Sequence, residues 1–430
     1  MTRMRAPLPV VLLAATLAAA ACSATLVRPE SGVCHGADAA TWLGAASNSL
    51  VILKYQPGKL YDVDGQGHAI PQALGVLPAD SEAVLSFPDQ ERYAGADSGF
   101  AAVRDRSYVY DDALVALWLM KQHDGVGARR ILQSLAALQR SDGAWGFSFA
   151  VRGDGFYNAS YVRAGAVAWT VYAFARYAEQ FRDGRFAATL ERGAIWLLRQ
   201  RDPACGLVLA GSGRWQDATH YDPHYLADFA ATEHQIDTWF ALIAAAHADM
   251  ALESRLHLKA AAADLGAAIE RELWLDTVSR YAQGLTTAGP DTGSALDAAG
   301  TWSALFAQAA GKMEHATAAL DWVQRKHPIH VAGWDGLRPY LGEPPETWFV
   351  EGSLAMPLAM ARLGHRPEAQ KALQPFVDLA CSGGVPLVYS PVWATDFPLS
   401  PATAPTVWFL FAGSEVVRGE PPFLWRERSP

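Results

Sequence analysis

Along the 430-residue chain, clusters of acidic, aromatic and hydroxyl-bearing residues recur, most of them followed by an apolar run. They are Tyr108-Val109-Tyr110-Asp111-Asp112, Asn158-Ala159-Ser160-Tyr161-Val162-Arg163, Glu233-His234-Gln235-Ile236-Asp237-Thr238-Trp239, the stretch Asp291 to Asp297, and Glu346-Thr347-Trp348-Phe349-Val350-Glu351-Gly352-Ser353. Carboxyl groups beside rings and hydroxyls suit two tasks, recognition of a polyhydroxylated ligand and transfer of protons. Glu233 and Asp237 are four apart and share a helical face, where like charges repel unless a partner or ligand uses them; His234 and Arg163 are candidate partners. Asp111 and Asp112 are adjacent, so they point in different directions, and one can cap while the other faces a cavity. Glu351 precedes an apolar run, which puts its carboxyl at the edge of a buried layer and raises its pKa as a general acid requires. An acid at a helix start also fits a plain cap, because free N–H groups gather there. Caps, however, do not require Trp, Tyr, His and Arg beside them.

Helices must hold these clusters. The first spans about 108–122 and is apolar on every side from Ala113 to Met120; the next, 126–139, carries Ile131, Leu132, Leu135 and Leu138 on one stripe and Arg129, Arg130 and Gln133 opposite. The alternation continues with 160–181 and 186–200, 232–250 and 254–274, 292–310 and 312–326, 346–363 and 367–379, and a last helix at 402–414. A helix apolar all round must be covered all round, whereas an amphipathic one lies at the surface. Strict alternation therefore predicts an all-α fold of two concentric layers, with about six hairpins closed into a toroid. In a parallel inner ring the clusters meet at one mouth.

The connections also rhyme, each placing Gly near an aromatic: Asp142-Gly143-Ala144-Trp145-Gly146-Phe147, Gly333-Trp334-Asp335-Gly336, and Gly383 to Tyr389. In this pattern, over about residues 40–415, the chain resembles the six-hairpin (α/α)6-toroid superfamily of glycoside hydrolases, polysaccharide lyases and sugar epimerases. The stretch Gln139 to Gly146 is also similar to the repeat of terpenoid cyclases. Their aspartate-rich motifs are missing, since Asp111-Asp112 runs into Ala113-Leu114-Val115.

The resemblance implies an enzyme that hydrolyses an envelope or extracellular polysaccharide with two carboxyl groups, one protonating the leaving oxygen and the other activating water or attacking directly. Glu351 or Glu233 is then the acid and Asp111 or Asp112 the base. Tyr110, Trp145, Tyr161, Trp239, Trp334 and Trp348 would line sugar subsites, with Arg163, His234, Asp237 and Asp335 as polar contacts; each ring also fits a core, and Asp335 also fits a turn. Two alternatives stand beside this reading. One is a lyase using Tyr157, Tyr161, Arg163 and His234, which the net charge of -9 disfavours; the other is a non-catalytic glycan-binding or assembly lipoprotein.

The same acidity, with no Lys/Arg run, argues against nucleic acid. Arg3 and Arg5, the apolar stretch Pro9 to Ala19 and the small residues Ala19-Ala20-Ala21 before Cys22 read as a leader over 1–21. The end of that leader resembles a lipoprotein box with Cys22 acylated, although Ala19 stands where Leu or Val is usual. Export to the periplasm or outer membrane is therefore expected, with membrane contact only through that anchor. A tether would span 22–36 and a single domain 37–430, including an irregular wrap at about 56–100 in which Asp62-Val63-Asp64-Gly65 forms a turn. Cys34, Cys205 and Cys381 then allow at most one disulfide. His220, His224 and His234 match no metal-ligand spacing, and neither metal nor cofactor is expected.

Overall fold

The computed structural model describes residues 38–88, 105–216, 220–331, 333–341, 347–380, 385, 388–389 and 401–428. The leader, Cys22, the tether, Cys34, Cys381 and Glu346 lie outside them. Its helices are α1 (Ala39–Asn48), α2 (Val109–Lys121), α3 (Gly125–Leu138), α4 (Ala164–Phe181), α5 (Ala187–Arg199), α6 (Thr232–Ala248), α7 (Met250–Leu256), α8 (Leu258–Leu273), α9 (Trp302–Ala309), α10 (Met313–Lys326), α11 (Val350–Arg362), α12 (Arg366–Ala380) and α13 (Thr403–Val416). A π-helical turn, Asp297–Thr301, leads into α9.

Helix α2 has no polar face, and from Val109 to Met120 only Tyr110 and Leu119 escape full burial. Helices α4, α6, α11 and α13 are buried in the same way along most of their length. The six apolar helices pack in the order α2, α4, α6, α9, α11, α13 and back to α2, a closed inner ring. Each then packs against an outer helix: α3, α5, α8, α10, α12 and, against α13, the N-terminal α1. The outer helices turn one stripe inward. On α3, Ile131, Leu132, Leu135 and Leu138 are buried, each contributing roughly 1.5–3 kcal/mol by leaving water. The two-layer toroid thus follows from the apolar and amphipathic periodicities.

The all-α expectation is corrected. Among the described residues eight small sheets of two or three strands accompany the helices, so the chain is mixed α/β. The strands have a repeated job. Arg106–Tyr108, just before α2, pairs with Ser148–Ala150, which follows α3. Val162–Arg163, before α4, pairs with Ser212 and Gly211 beyond α5. Ala230–Ala231, before α6, pairs with Gly284–Leu285 beyond α8. Ala295 bridges Tyr340, and Trp348–Phe349 pairs with Val388–Tyr389. Each inner helix start is thereby tied to the chain that leaves the next outer helix. The glycine-aromatic connections are part of this stitching: Gly143 takes a left-handed φ of 99°, and a Cβ there would meet the Arg192 carbonyl at 2.3 Å. The expected wrap is also partly regular, with strands Gln56–Val63, Ala69–Pro71 and Glu82–Val84.

The ends of the inner helices opposite the acids are sealed by the C-terminal tail. Arg362 near the end of α11 binds both oxygens of Glu415 and the carbonyls of Leu424 and Trp425. Glu427 meets Arg176 at 3.1 Å and the Tyr172 hydroxyl at 3.0 Å, all buried. Between them Trp425 enters the axis with a φ of 48° and stacks on Phe240 at 4.8 Å. No helix among the described residues is long and apolar enough to cross a membrane.

Candidate functional site

Two outer helices use side chains as caps: Asp124 accepts from the Gly127 amide at the start of α3, and Asp38 does the same for Thr41 at the start of α1. The inner helices do not. Tyr108, Arg163, Ala231, Phe349 and Ala402 precede them in extended conformation, and none makes a side-chain cap bond. The acids of the first inner turns are thus left for other partners.

Those partners are one another. The Tyr110 hydroxyl donates to Glu351 Oε1 at 2.8 Å and accepts from Trp408 Nε1 at 2.6 Å, which links α2, α11 and α13. Glu233, in the first turn of α6, shares a hydrogen bond with Asp297 at the head of the π-helical turn. Asp111 takes a hydrogen bond from Ser86 and acts electrostatically on Glu351. Asp237, one turn deeper than Glu233, is 4% exposed, and its Oδ1 has no hydrogen-bond partner.

Burial sets the protonation of this cluster. Loss of water is the largest effect at each acid, and it outweighs the favourable helix N-termini. Glu351 is pushed up to about 8, with the Tyr110 bond pulling downward and Asp111 and Asp297 pushing further up. Asp111 also rises to about 8, with Ser86 opposing and Asp112 adding. Glu233 and Asp237 lie well above the ordinary carboxyl range, from burial and then from neighbouring acids. Asp297 is raised by burial as well, but the Ala298 amide, its own backbone amide and Glu233 all draw it down. In the Glu233–Asp297 pair burial raises both acids, and the hydrogen bond between them raises Glu233 further while drawing Asp297 down.

Below the acids lies an aromatic floor. Trp169 is 5.2 Å from the Tyr110 ring and stacks on Trp425 at 5.1 Å. Trp302 stacks on Trp408 at 5.4 Å, and Trp425 closes against both. The axis thus passes from carboxyl groups to tryptophans to the tail within a few helical turns.

The structure gathers Tyr110, Asp111, Glu233, Asp237 and Glu351 from the sequence-derived candidates. His234 sits beside them against Gly165, where a Cβ would meet its Cδ2 at 2.6 Å and Asp237 Oδ2 at 2.7 Å. Burial, helped by Arg163, drops His234 to about 3, so its imidazole is neutral, and its Nδ1 has no partner. Arg163 stacks on Tyr161 and donates through Nη1 to the carbonyls of Val162, Ser212 and Gly213. Other candidates lie elsewhere. Asp112 is fully buried, accepting from Ser107 Oγ at 2.5 Å and the Val84 amide at 3.0 Å, so it anchors the strand Glu82–Val84. Trp145 donates to the Leu135 carbonyl and stacks on Phe174. Trp239 packs against Phe240 and Phe306, and Trp348 against Phe376 and Trp334. Asp335 is almost fully exposed and pairs with His330 across the hairpin Pro328–Val331/Trp334–Leu337. Tyr157 ties the Leu138 carbonyl to the Gly146 amide. Sequence reasoning missed Asp297 as a site acid, together with Trp169, Trp302, Trp408 and Trp425. Asp297 had the signal of the others, a carboxyl heading an apolar inner segment. Among the described residues no group of three or more His, Cys, Asp or Glu could hold a metal ion.

No family model matches the sequence, and no curated protein matches it. Solved structures do match by shape. A glycosidase in complex with glucose superposes with a TM-score of 0.57 at 13% identity, over 79% of this chain and 92% of its own. A D-mannose isomerase gives 0.57 at 11% identity, over 89% of this chain and 97% of its own. The cellobiose 2-epimerase of Bacillus thermoamylovorans gives 0.53 at 9%, over 72% and 86%. With its closed ring of six inner helices and six outer partners among the described residues, the chain shares the (α/α)6-toroid fold of these solved structures.

Proposed function

We propose that this protein is a carbohydrate-processing enzyme, specifically a glycoside hydrolase acting on an envelope or extracellular poly- or oligosaccharide. One observation carries the reading: a carboxyl group that burial raises to about 8, Glu351, shares the mouth with a second carboxyl, Asp297, which the Ala298 amide and Glu233 draw downward. Glu351 gives its proton to the glycosidic oxygen as the bond to the anomeric carbon breaks. Asp297, steadied by the Glu233 hydrogen bond, takes a proton from the water that adds to that carbon. Tyr110 and Trp408 hold the Glu351 carboxyl in place.

A second reading has its own observation. The neutral His234 imidazole has an unpartnered Nδ1 beside the acids, so it can exchange a hydrogen bond with a sugar hydroxyl or carbonyl while a neighbouring carboxyl moves the proton, as an isomerase or epimerase requires. A panel of glycans and free sugars, with products identified, separates the two. Hydrolysis exposes new reducing ends and is lost in Glu351→Gln and Asp297→Asn. Interconversion of free sugars without cleavage, lost in His234→Asn, supports the second reading. Cleavage that survives both carboxyl substitutions removes the assignment of acid and base.

We also propose that the leader directs export and that Cys22 is acylated. Fatty-acid labelling that disappears in Cys22→Ser tests this, and labelling unchanged by that substitution refutes it.

A further inference from the structure

Among the described residues, the groups acting on Asp111, Glu233, Asp237, Asp297 and Glu351 are other carboxyls, the hydroxyls of Ser86 and Tyr110, the Trp169 indole and backbone amides; no Lys or Arg acts on them, and His234 beside them is neutral. The guanidinium at the rim, Arg163, spends its Nη1 on three carbonyls and lies over Tyr161. Buried acids are normally paired with a cation or dispersed. Here they converge, and a second observation points to something that enters among them: Oδ1 of Asp237, on a side chain all but buried, has no hydrogen-bond partner. The Nε1 of buried Trp302, in the aromatic floor, has none either.

We propose that the sugar unit seated over Glu233, Asp237 and Asp297 is a hexosamine with a free, protonated amine. The inference rests on the carbohydrate reading of this site and names its substrate class. An ammonium is a compact cation with three N–H donors, so it can meet Asp237 Oδ1 and the Glu233–Asp297 pair together. Its charge relieves the crowding that now keeps these acids protonated, so binding drives protons off them. A uronic acid would add a further carboxylate to a place without a cation and is excluded. An uncharged sugar fills the space and leaves the repulsion as it was.

Calorimetric titration of the full chain at neutral pH tests this with matched sets: glucosamine, N-acetylglucosamine, glucose and glucuronate, and galactosamine, galactose and galacturonate. In at least one set the amine binds about tenfold or more tightly than its neutral partner, as expected for close charge pairs shielded from water. Its heat changes with the ionisation enthalpy of the buffer, which reports proton release, whereas that of glucose does not. Asp237→Asn reduces the preference; if that variant does not fold, Glu233→Gln carries the same comparison. Equal or tighter binding of neutral or anionic members in both sets, or a preference unchanged in the folded variant, overturns the proposal. Acid-dependent cleavage of a neutral glycan without amine preference would sink this inference alone. Amine preference without cleavage of any glycan would sink the hydrolase reading alone.

Discussion

Tyr110 and Glu351 are 241 positions apart in sequence, yet the phenol of one donates a 2.8 Å hydrogen bond to the carboxyl of the other. They stand near the heads of the first and fifth inner helices, and the bond is direct evidence that those heads converge. It also sets the acidity of Glu351, because a phenol donating to a carboxylate favours its ionised form. Tyr110→Phe therefore raises the Glu351 pKa above its present value of about 8. A general acid works while protonated, so the alkaline limb of the pH–rate profile moves to higher pH. The loss of positioning lowers the rate about tenfold or more, since hydrogen bonds to charged groups are worth about 1.5–3 kcal/mol. An alkaline limb that stays put or moves down refutes the assignment of Glu351.

Stability should also depend on these acids. Unfolded Glu351 and Asp111 give up their protons near 4.5 and 3.8, whereas in the fold both hold them to about 8. Their contribution is thus whole below about pH 4 and fades as pH rises toward 8. Glu351→Gln removes one such group. Its thermal midpoint should fall less with pH than the parent's and exceed it by a few degrees near pH 8.5. Midpoints that track the parent at every pH between about 5 and 8.5 count against the raised acidity constant.

Asp111 and Asp112 are neighbours with different work. Asp112 has its two oxygens on the Ser107 hydroxyl and the Val84 amide, and it touches the carboxyl cluster only through its electrostatic effect on Asp111. Asp112→Ala leaves that hydroxyl and amide unsatisfied in the core and costs about 1–3 kcal/mol. Activity per folded molecule should change little at temperatures well below the melting point. A large loss of turnover in a variant with unchanged stability would place Asp112 in the chemistry instead.

Trp425 supports the floor from below. Its ring fills the axis between Phe240, Trp169 and Trp302, so Trp425→Ala opens a cavity worth about 3–5 kcal/mol. Glu427→Ala should cost less, because Glu179 remains 3.4 Å from the same Arg176 guanidinium. Denaturant midpoints in the opposite order would show that the buried ion pair, not the indole, holds the tail.

Much of this was visible in the chain itself. The apolar run Ala113–Met120 beside the amphipathic 126–139 announces one inner and one outer helix, and repetition of that contrast announces the ring. The strands were not visible, because Val162–Arg163 and Ala230–Ala231 are too short for any alternation and exist only through pairing with chain about fifty residues on. The tryptophan floor was hidden for the opposite reason. Helices apolar on every face carry no stripe, so nothing in the sequence says that Trp169, Trp302 and Trp408 face the axis while Trp239 faces the outer layer. Trp425 lies in no regular element at all. Asp297 was hidden within the run from Asp291, where a π-helical turn shifts the register of the side chains that follow.

The pairing of α1 with α13 has a bearing on how the molecule is made. The first and the last helices of the ring are adjacent in the finished fold. The five hairpins between them can each form from local contacts, but the circle cannot shut until α13 and the tail have joined α1. Folding therefore passes through an open, horseshoe-like stage with apolar flanks uncovered at both ends, and ring closure is the slow, long-range step.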